Sequence, residues 1–313
     1  MKRRVIAGLF AIAALLAVPA QAQDKLTVLL DWFTNPDHAP IVVAQQKGFF
    51  AAEGLDVELI EPADPAMPPK LVAAGQGDIA VSYQPTLHAQ IEEGLPLKWI
   101  GTLVATPLNS LIVLEDGPIK ALEDLKGKTI GFSVSGFEDV MLNQMLKSVG
   151  LSIKDVELIN VNFALSPSLM SGQVDAVIGA YRNFELTQIE IEGKTGKAFF
   201  PEEHGVPVFD ELIYVVHKDR TDDARFARFM AAIEAATVYL INHPDEAWEA
   251  FIAAYPSLDD ELNRRAWADT LPRFAKRPSA LDQGRYQRFA EFMAENGLLE
   301  TVPPVDSYTA ELR

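Results

Sequence analysis

The chain contains no cysteine. Thiol nucleophiles, iron–sulfur clusters and cysteine-ligated zinc are therefore excluded, and no disulfide can form. Histidine is scarce: His38, His88, His204, His217 and His243 are the whole set, and no two stand at a metal-ligand spacing. No H-E-x-x-H, G-x-S-x-G or phosphate-cradling glycine-rich motif occurs. A Ser/His/Asp triad remains open, because its members meet only in space. Basic residues are also few, with 27 Lys and Arg against 44 Asp and Glu and a net charge of −17. That field disfavours a nucleic-acid or anionic-membrane partner. After the N-terminal segment no apolar run is long enough to span a bilayer.

What is present begins with that segment. MKRR is followed by VIAGLFAIAALLAV and then PAQA. A basic start, a short apolar stretch and small residues at Ala20 and Ala22 form the pattern of a cleaved secretion signal. The expected signal is residues 1–22, leaving a mature chain from Gln23. It carries three basic and no acidic residues, so cleavage takes the net charge from −17 to −20. The signal is of bacterial type, and the expected location is the periplasm. No Cys follows the apolar stretch, which excludes a lipid anchor.

Strand and helix signals then alternate. LTVLL (26–30), LDVELIE (55–61) and DIAVS (78–82) are predicted strands, with predicted helices over 39–52 and 66–75. SLIVLED (110–116), KTIGFS (128–133) and DELIYVVHKD (210–219) are further strands, and from Thr221 onward the pattern is helical. A repeat underlies this order. DVELI occurs at Asp56 and again at Asp155, and AAGQGDIAV (73–81) answers MSGQVDAVI (170–178). Two similar α/β lobes are therefore expected. Lobe 1 would comprise 23–109 and 211–313, lobe 2 would comprise 110–210, and strand-like crossings near 106–112 and 206–214 would form the hinge. The economical reading is an exported monomer that closes around a small molecule and needs no cofactor.

Ligands of open α/β sheets sit beyond the carboxyl ends of the strands. The segments there are DWFTNPDH (31–38), SYQPTLH (82–88), SVSGFED (133–139) and GAYRNFE (179–185). Trp32, Tyr83, Phe137, Tyr181 and Phe184 offer flat faces. Asn35, His38, Gln84, Ser133, Ser135, Asn183 and Glu185 offer directed polar groups. Together they suit a flat heterocycle with ring nitrogens and amino groups. The same residues fit plainer roles too: Trp32 and Phe137 in the core, His38 as a helix cap, Glu185 as a solvated surface group. Arg182 is the one cation in these four segments, and a sulfonate or phosphate site usually shows more arginine.

LDWFTNPDHAPIVVAQQKGFFAAEGLDVELIEP, GDIAVSYQP, KGKTIGFS, SGQVDAVIGAYRNFE and RYQRFAEFMAENGLL resemble the pyrimidine-precursor-binding proteins of bacterial thiamin-salvage ABC transporters. The D-W-x-x-N-x-x-H opening and the Y-x-N-x-E segment are the more specific parts; sulfonate- and nitrate-binding proteins share the general pattern. The resemblance implies the type II periplasmic-binding-protein fold, two α/β lobes with a ligand cleft between them. It also implies a formylated or hydroxymethyl aminopyrimidine as ligand and a membrane permease as partner. Trp32 would stack on the ring, and Tyr181 or Phe184 would close the other face. Glu185 would bind the ring nitrogen and exocyclic amine, with Asn35 and His38 on the floor. Arg182 and Phe184 stand where the resemblance leads one to expect Trp. A ligand such as riboflavin, an alkanesulfonate or nitrate is the alternative. The chain is similar as well to fungal thiamin-pyrimidine synthases, whose lysine and histidine positions fall here on Ser82 and Thr86; with Cys absent too, no enzymatic activity is expected.

Overall fold

The structure is a computed structural model that describes residues 23–312, so the expected secretion signal lies outside the described residues. Ten strands form two five-stranded sheets. Lobe 1 holds β1 (Asp24–Leu29), β2 (Leu55–Ile60), β3 (Ile79–Ser82) and β4 (Leu97–Val104). Lobe 2 holds β5 (Asn109–Leu114), β6 (Thr129–Phe132), β7 (Glu157–Asn160), β8 (Ala176–Tyr181) and β9 (Gly196–Phe199). The chain then returns, and β10 (Leu212–His217) completes the first sheet.

The strand orders are β2-β1-β3-β10-β4 and β7-β6-β8-β5-β9. Both lobes therefore have one layout: three parallel strands, then an antiparallel pair of partners. The sequence repeat is this layout's strand–helix–strand unit, β2 to β3 and β7 to β8. Its shared aspartate does the same work twice. Asp78 Oδ2 accepts from the Thr27 amide at 2.8 Å, and Asp175 Oδ2 accepts from the Thr129 amide at 2.9 Å. Each carboxylate thus satisfies a backbone amide of the neighbouring strand, Thr27 within β1 and Thr129 at the start of β6. The glycines three residues earlier, Gly75 and Gly172, take φ of 73° and 75° to end the helix, a region where a side chain would be strained.

Apolar residues cover both faces of each sheet, as parallel strands require. Leu26, Val28 and Leu30 face a large cluster that includes Phe226, Phe229, Ile233 and Leu240 of the long helix Ala224–Asn242. Leu29 faces the opposite cluster around Trp99 and Tyr286. The helical C-terminal third thus covers lobe 1, as its periodicity predicts. Among the described residues no helix is long and apolar enough to cross a membrane.

Two details differ from expectation. The helix expected over 39–52 divides into Ala39–Gln46 and Phe49–Ala52, because Gly48 adopts φ 77° between them. The crossings between sheets are 105–108 and 200–211. Residues 109–112, read as crossing, belong to β5, and 212–214 belong to β10, because their consecutive buried apolar side chains pair into the sheets.

Candidate functional site

Loops from the carboxyl ends of β1, β3, β6 and β8 meet between the lobes around a cavity of about 540 Å³ of atom-free space, mouth included. The lobe 1 wall is built by the loop after β1. Asn35 Oδ1 accepts the Asp37 amide at 2.8 Å, and His38 Nδ1 accepts the Asn35 amide at 3.3 Å, which closes a short 3-10 turn over Pro36–His38. Because Nδ1 accepts, the His38 ring proton lies on Nε2 and is donated to Asp31 Oδ1 at 2.9 Å. Tyr83 donates its hydroxyl to Asp31 Oδ2, also at 2.9 Å. A histidine and a tyrosine from two loops thus aim one buried carboxyl at the cavity.

The lobe 2 wall repeats a device. Phe137–Glu138 and Phe184–Glu185 each sit where a helix starts, with the phenylalanine at the N-cap and the glutamate first in the helix. Both glutamates turn back on the chain just before their helix, Glu138 on the loop after β6 and Glu185 on the last residue of β8. Glu138 Oε2 accepts the Ser133 amide at 2.8 Å, and Glu185 Oε2 accepts the Tyr181 amide at 2.6 Å. Glu138 lies against Gly179 of β8, where any Cβ would overlap its carboxyl.

Burial sets the electrostatics. Glu138 and Glu185 are 4% and 8% exposed, and burial pushes their carboxyls up to about 8 and about 7. Asp37 is raised for the same reason. Behind the wall, Glu211 is raised by burial to about 7. Its Oε2 accepts the amides of Leu108 and Asn109 at 2.6 and 2.9 Å, which joins the two crossings. Among the described residues the cavity is lined by no Lys or Arg.

Of the twelve residues expected to meet a ligand, Trp32, Asn35, His38, Tyr83, Phe137, Tyr181, Phe184 and Glu185 line the cavity. Trp32 reaches over to pack edge-on against Phe163 of lobe 2, with ring centroids 4.6 Å apart. Asn35 spends both polar atoms on its own loop, since its Nδ2 donates to the Phe33 carbonyl. His38 is therefore a cap and a wall residue at once. The remaining four lie elsewhere. Gln84 is buried and its Oε1 holds the Asp210 amide of the second crossing at 2.8 Å. Ser133 donates its hydroxyl to the Asn162 carbonyl. Ser135 is exposed. Asn183 is buried in contacts with Asp37 and Thr270. Each of these four is absent from the lining because its polar atoms serve the scaffold or solvent.

Sequence reasoning missed Asp31, Asp37, Asn109, Glu138 and Gly179, which also line the cavity. One signal was available: the F-E pair at 137–138 duplicates the F-E pair at 184–185. Arg182, the one cation of these segments, is turned into the hinge. Its Nε and Nη2 donate to the Leu108 and Asn109 carbonyls, and its fork pairs with Glu202 at 2.6 and 3.0 Å. Its guanidinium lies 4.0 Å from the Phe200 ring centre.

Comparison with known proteins follows from this geometry. The family described as NMT1/THI5 like matches residues 35–247. A Haemophilus influenzae protein named for thiamine biosynthesis is 55% identical over 304 residues, 97% of each chain. The formylaminopyrimidine-binding protein of Halalkalibacterium halodurans is 33% identical over 229 residues, 72% of this chain and 69% of that one. The 4-amino-5-hydroxymethyl-2-methylpyrimidine phosphate synthase of Uromyces fabae is 31% identical over 254 residues, 77% and 74% of the two chains. Among solved structures, the alkanesulfonate-binding protein of Xanthomonas axonopodis superposes with a TM-score of 0.71 at 16% identity, covering 92% of this chain and 98% of that one. That likeness is one of fold, the two-lobed periplasmic-binding-protein architecture.

Proposed function

The chain belongs to the NMT1/THI5 like family, and from that premise we propose that it is the solute-binding protein of an ABC importer for a thiamin-precursor aminopyrimidine. The observation that carries the reading is the wall chemistry: aromatic faces with four buried carboxyl groups and, among the described residues, no lysine or arginine in the lining. An aminopyrimidine offers what that wall complements, a flat ring, N–H donors for carboxyl oxygens and ring nitrogens that accept from a protonated acid. An anion finds no partner, since Arg182 is committed to Glu202 and the Leu108 and Asn109 carbonyls.

In this reading the ligand enters between lobe 1 (23–109 and 211–313) and lobe 2 (110–210), which close as two bodies about the crossings. Trp32 covers the ring, Glu185 takes the ring nitrogen and amine, and a periplasmic monomer delivers the ligand to its permease. Transport without turnover is the reading because Ser82 and Thr86 are buried hydroxyl residues outside the cavity lining, with neither amine nor imidazole at those positions.

Calorimetric titration tests it. 4-Amino-5-hydroxymethyl-2-methylpyrimidine and formylaminopyrimidine are expected to bind with dissociation constants of about 1 μM or below, near 8 kcal/mol. Alkanesulfonates are expected to give no heat. Trp32→Ala is expected to weaken pyrimidine binding by about 10- to 100-fold, from the lost stack and buried area. A sulfonate that binds while every pyrimidine fails would sink the proposal.

A further inference from the structure

The cavity holds a second glutamate built like Glu185. Phe137–Glu138 and Phe184–Glu185 share the N-cap phenylalanine, the first helical glutamate and the hydrogen bond to Oε2 from the chain just before the helix. In both, that backbone amide makes Oε2 the acceptor oxygen, and among the described residues Oε1 has no hydrogen-bond partner. We infer that Glu138 is a specificity-determining residue of the ligand site, whose Oε1 hydroxyl donates a hydrogen bond to an acceptor atom of the bound heterocycle. The inference rests on the proposed ligand class and adds to it a second reading group on the lobe 2 wall.

Two observations carry it. The first is crowding of like groups: Asp31, Asp37, Glu138, Glu185 and the nearby Glu211 are all under 9% exposed, without a lysine or arginine in the lining. Several of them must stay protonated. Asp31 and Glu211 each accept two close donors and Asp37 accepts from Asn183, whereas the close contact of Glu138 is the Ser133 amide and that of Glu185 the Tyr181 amide, seconded by weaker backbone contacts from Val134 and from Glu185 itself. Of the three buried glutamates Glu138 is raised furthest, and with Oε2 accepting the Ser133 amide its proton sits on Oε1. The second observation is space. Gly179 has φ 94° and no side chain, so the Glu138 carboxyl lies flat on bare strand at the cavity wall. Burial, which pushes Glu138 to about 8, agrees with a neutral donor at pH 7. Tyr83, Glu211 and Asp139 are the titratable groups that face it, and none supplies a positive charge.

The test is titration of 4-amino-5-hydroxymethyl-2-methylpyrimidine into three proteins. Glu138→Gln keeps an N–H donor where the hydroxyl was and is expected to bind within about threefold of the parent, whereas Glu138→Leu is expected to bind at least about tenfold more weakly. Parent affinity is expected to fall above pH 8 as the donor ionises, and the Gln variant is expected to lose that step. Equal weakening by Gln and Leu, or an unchanged Leu variant, overturns the inference. If the parent itself binds no pyrimidine, the ligand proposal has failed, and infrared spectroscopy of the unliganded protein decides the rest. A carboxylic-acid carbonyl band at pH 7 that disappears in Glu138→Gln sustains the neutral donor; its absence overturns it.

Discussion

Asn183 Nδ2 of lobe 2 donates to Asp37 Oδ1 of lobe 1 at 2.7 Å, across the cleft. Thr270, at the end of the helix Glu261–Thr270, shares the junction: its hydroxyl lies 2.7 Å from Asn183 Nδ2 and 2.8 Å from Asp37 Oδ1. All three residues are buried. The junction ties the two lobes together, with Asp37 in the cavity lining and Asn183 and Thr270 outside it, so in the proposed closure it holds the lobes shut. Asn183→Ala is expected to weaken ligand binding about 10- to 100-fold, as loss of a buried hydrogen bond to a carboxyl costs about 1.5–3 kcal/mol. The change should appear in the dissociation rate and leave the ranking of ligands intact. Stopped-flow fluorescence with two pyrimidines checks both points; altered ranking would place Asn183 in the ligand site instead.

Arg182 holds the hinge. Its fork joins the carbonyls of Leu108, at the end of one crossing, and Asn109, at the start of β5, to Glu202 of the other crossing, and a lysine ammonium cannot make those contacts together. Arg182→Lys is expected to lower stability by about 1–3 kcal/mol, by chemical denaturation, without creating sulfonate affinity.

Gly179 and Glu138 are predicted to be energetically coupled. Gly179→Ala places a Cβ into the Glu138 carboxyl at a φ of 94°, and is expected to lower stability by about 2–4 kcal/mol. Adding Glu138→Ala removes the overlap, leaving the backbone strain. A double-mutant cycle is expected to show a coupling of about 1–3 kcal/mol. Simple additivity would mean that the carboxyl does not rest on the strand.

Stability should fall from mildly acid to alkaline pH. Glu138, Glu185 and Glu211 hold their protons up to about 8, 7 and 7 when folded, against an ordinary glutamate value of 4.5. Unfolding therefore releases protons between about pH 4.5 and 8, so stability is greatest at the acid end of that window and declines through it. Buried His88, lowered to about 3, works in the opposite sense below about pH 6.5 and offsets one of the three groups. The melting temperature of the unliganded protein is expected to be higher at pH 5.5 than at pH 8, and Glu138→Gln should flatten the difference.

Much of this protein is legible in its sequence because the relevant signals are local. Alternating strand and helix patterns, the G-Q-x-D echo and the glycines that end helices each act over a few residues, and Asp78 and Asp175 show that the echo records one hydrogen bond made twice. The aromatic side chains at the strand ends were legible for the same reason, since strand direction fixes which end opens onto the cleft. The carboxyl chemistry was not. Glu138, Asp31 and Asp37 look like ordinary acids among 44 in the sequence. What sets them apart is desolvation by segments far along the chain, together with the partners that reach them: Tyr83 for Asp31, Asn183 and Thr270 for Asp37, and bare Gly179 beneath Glu138. Arg182 and Asn183 make the same point from the other side. Their residue types suit a ligand, and only the packing of the lobes against each other turns one toward the crossings and the other across the cleft, because a long-range polar contact is decided by which surfaces meet.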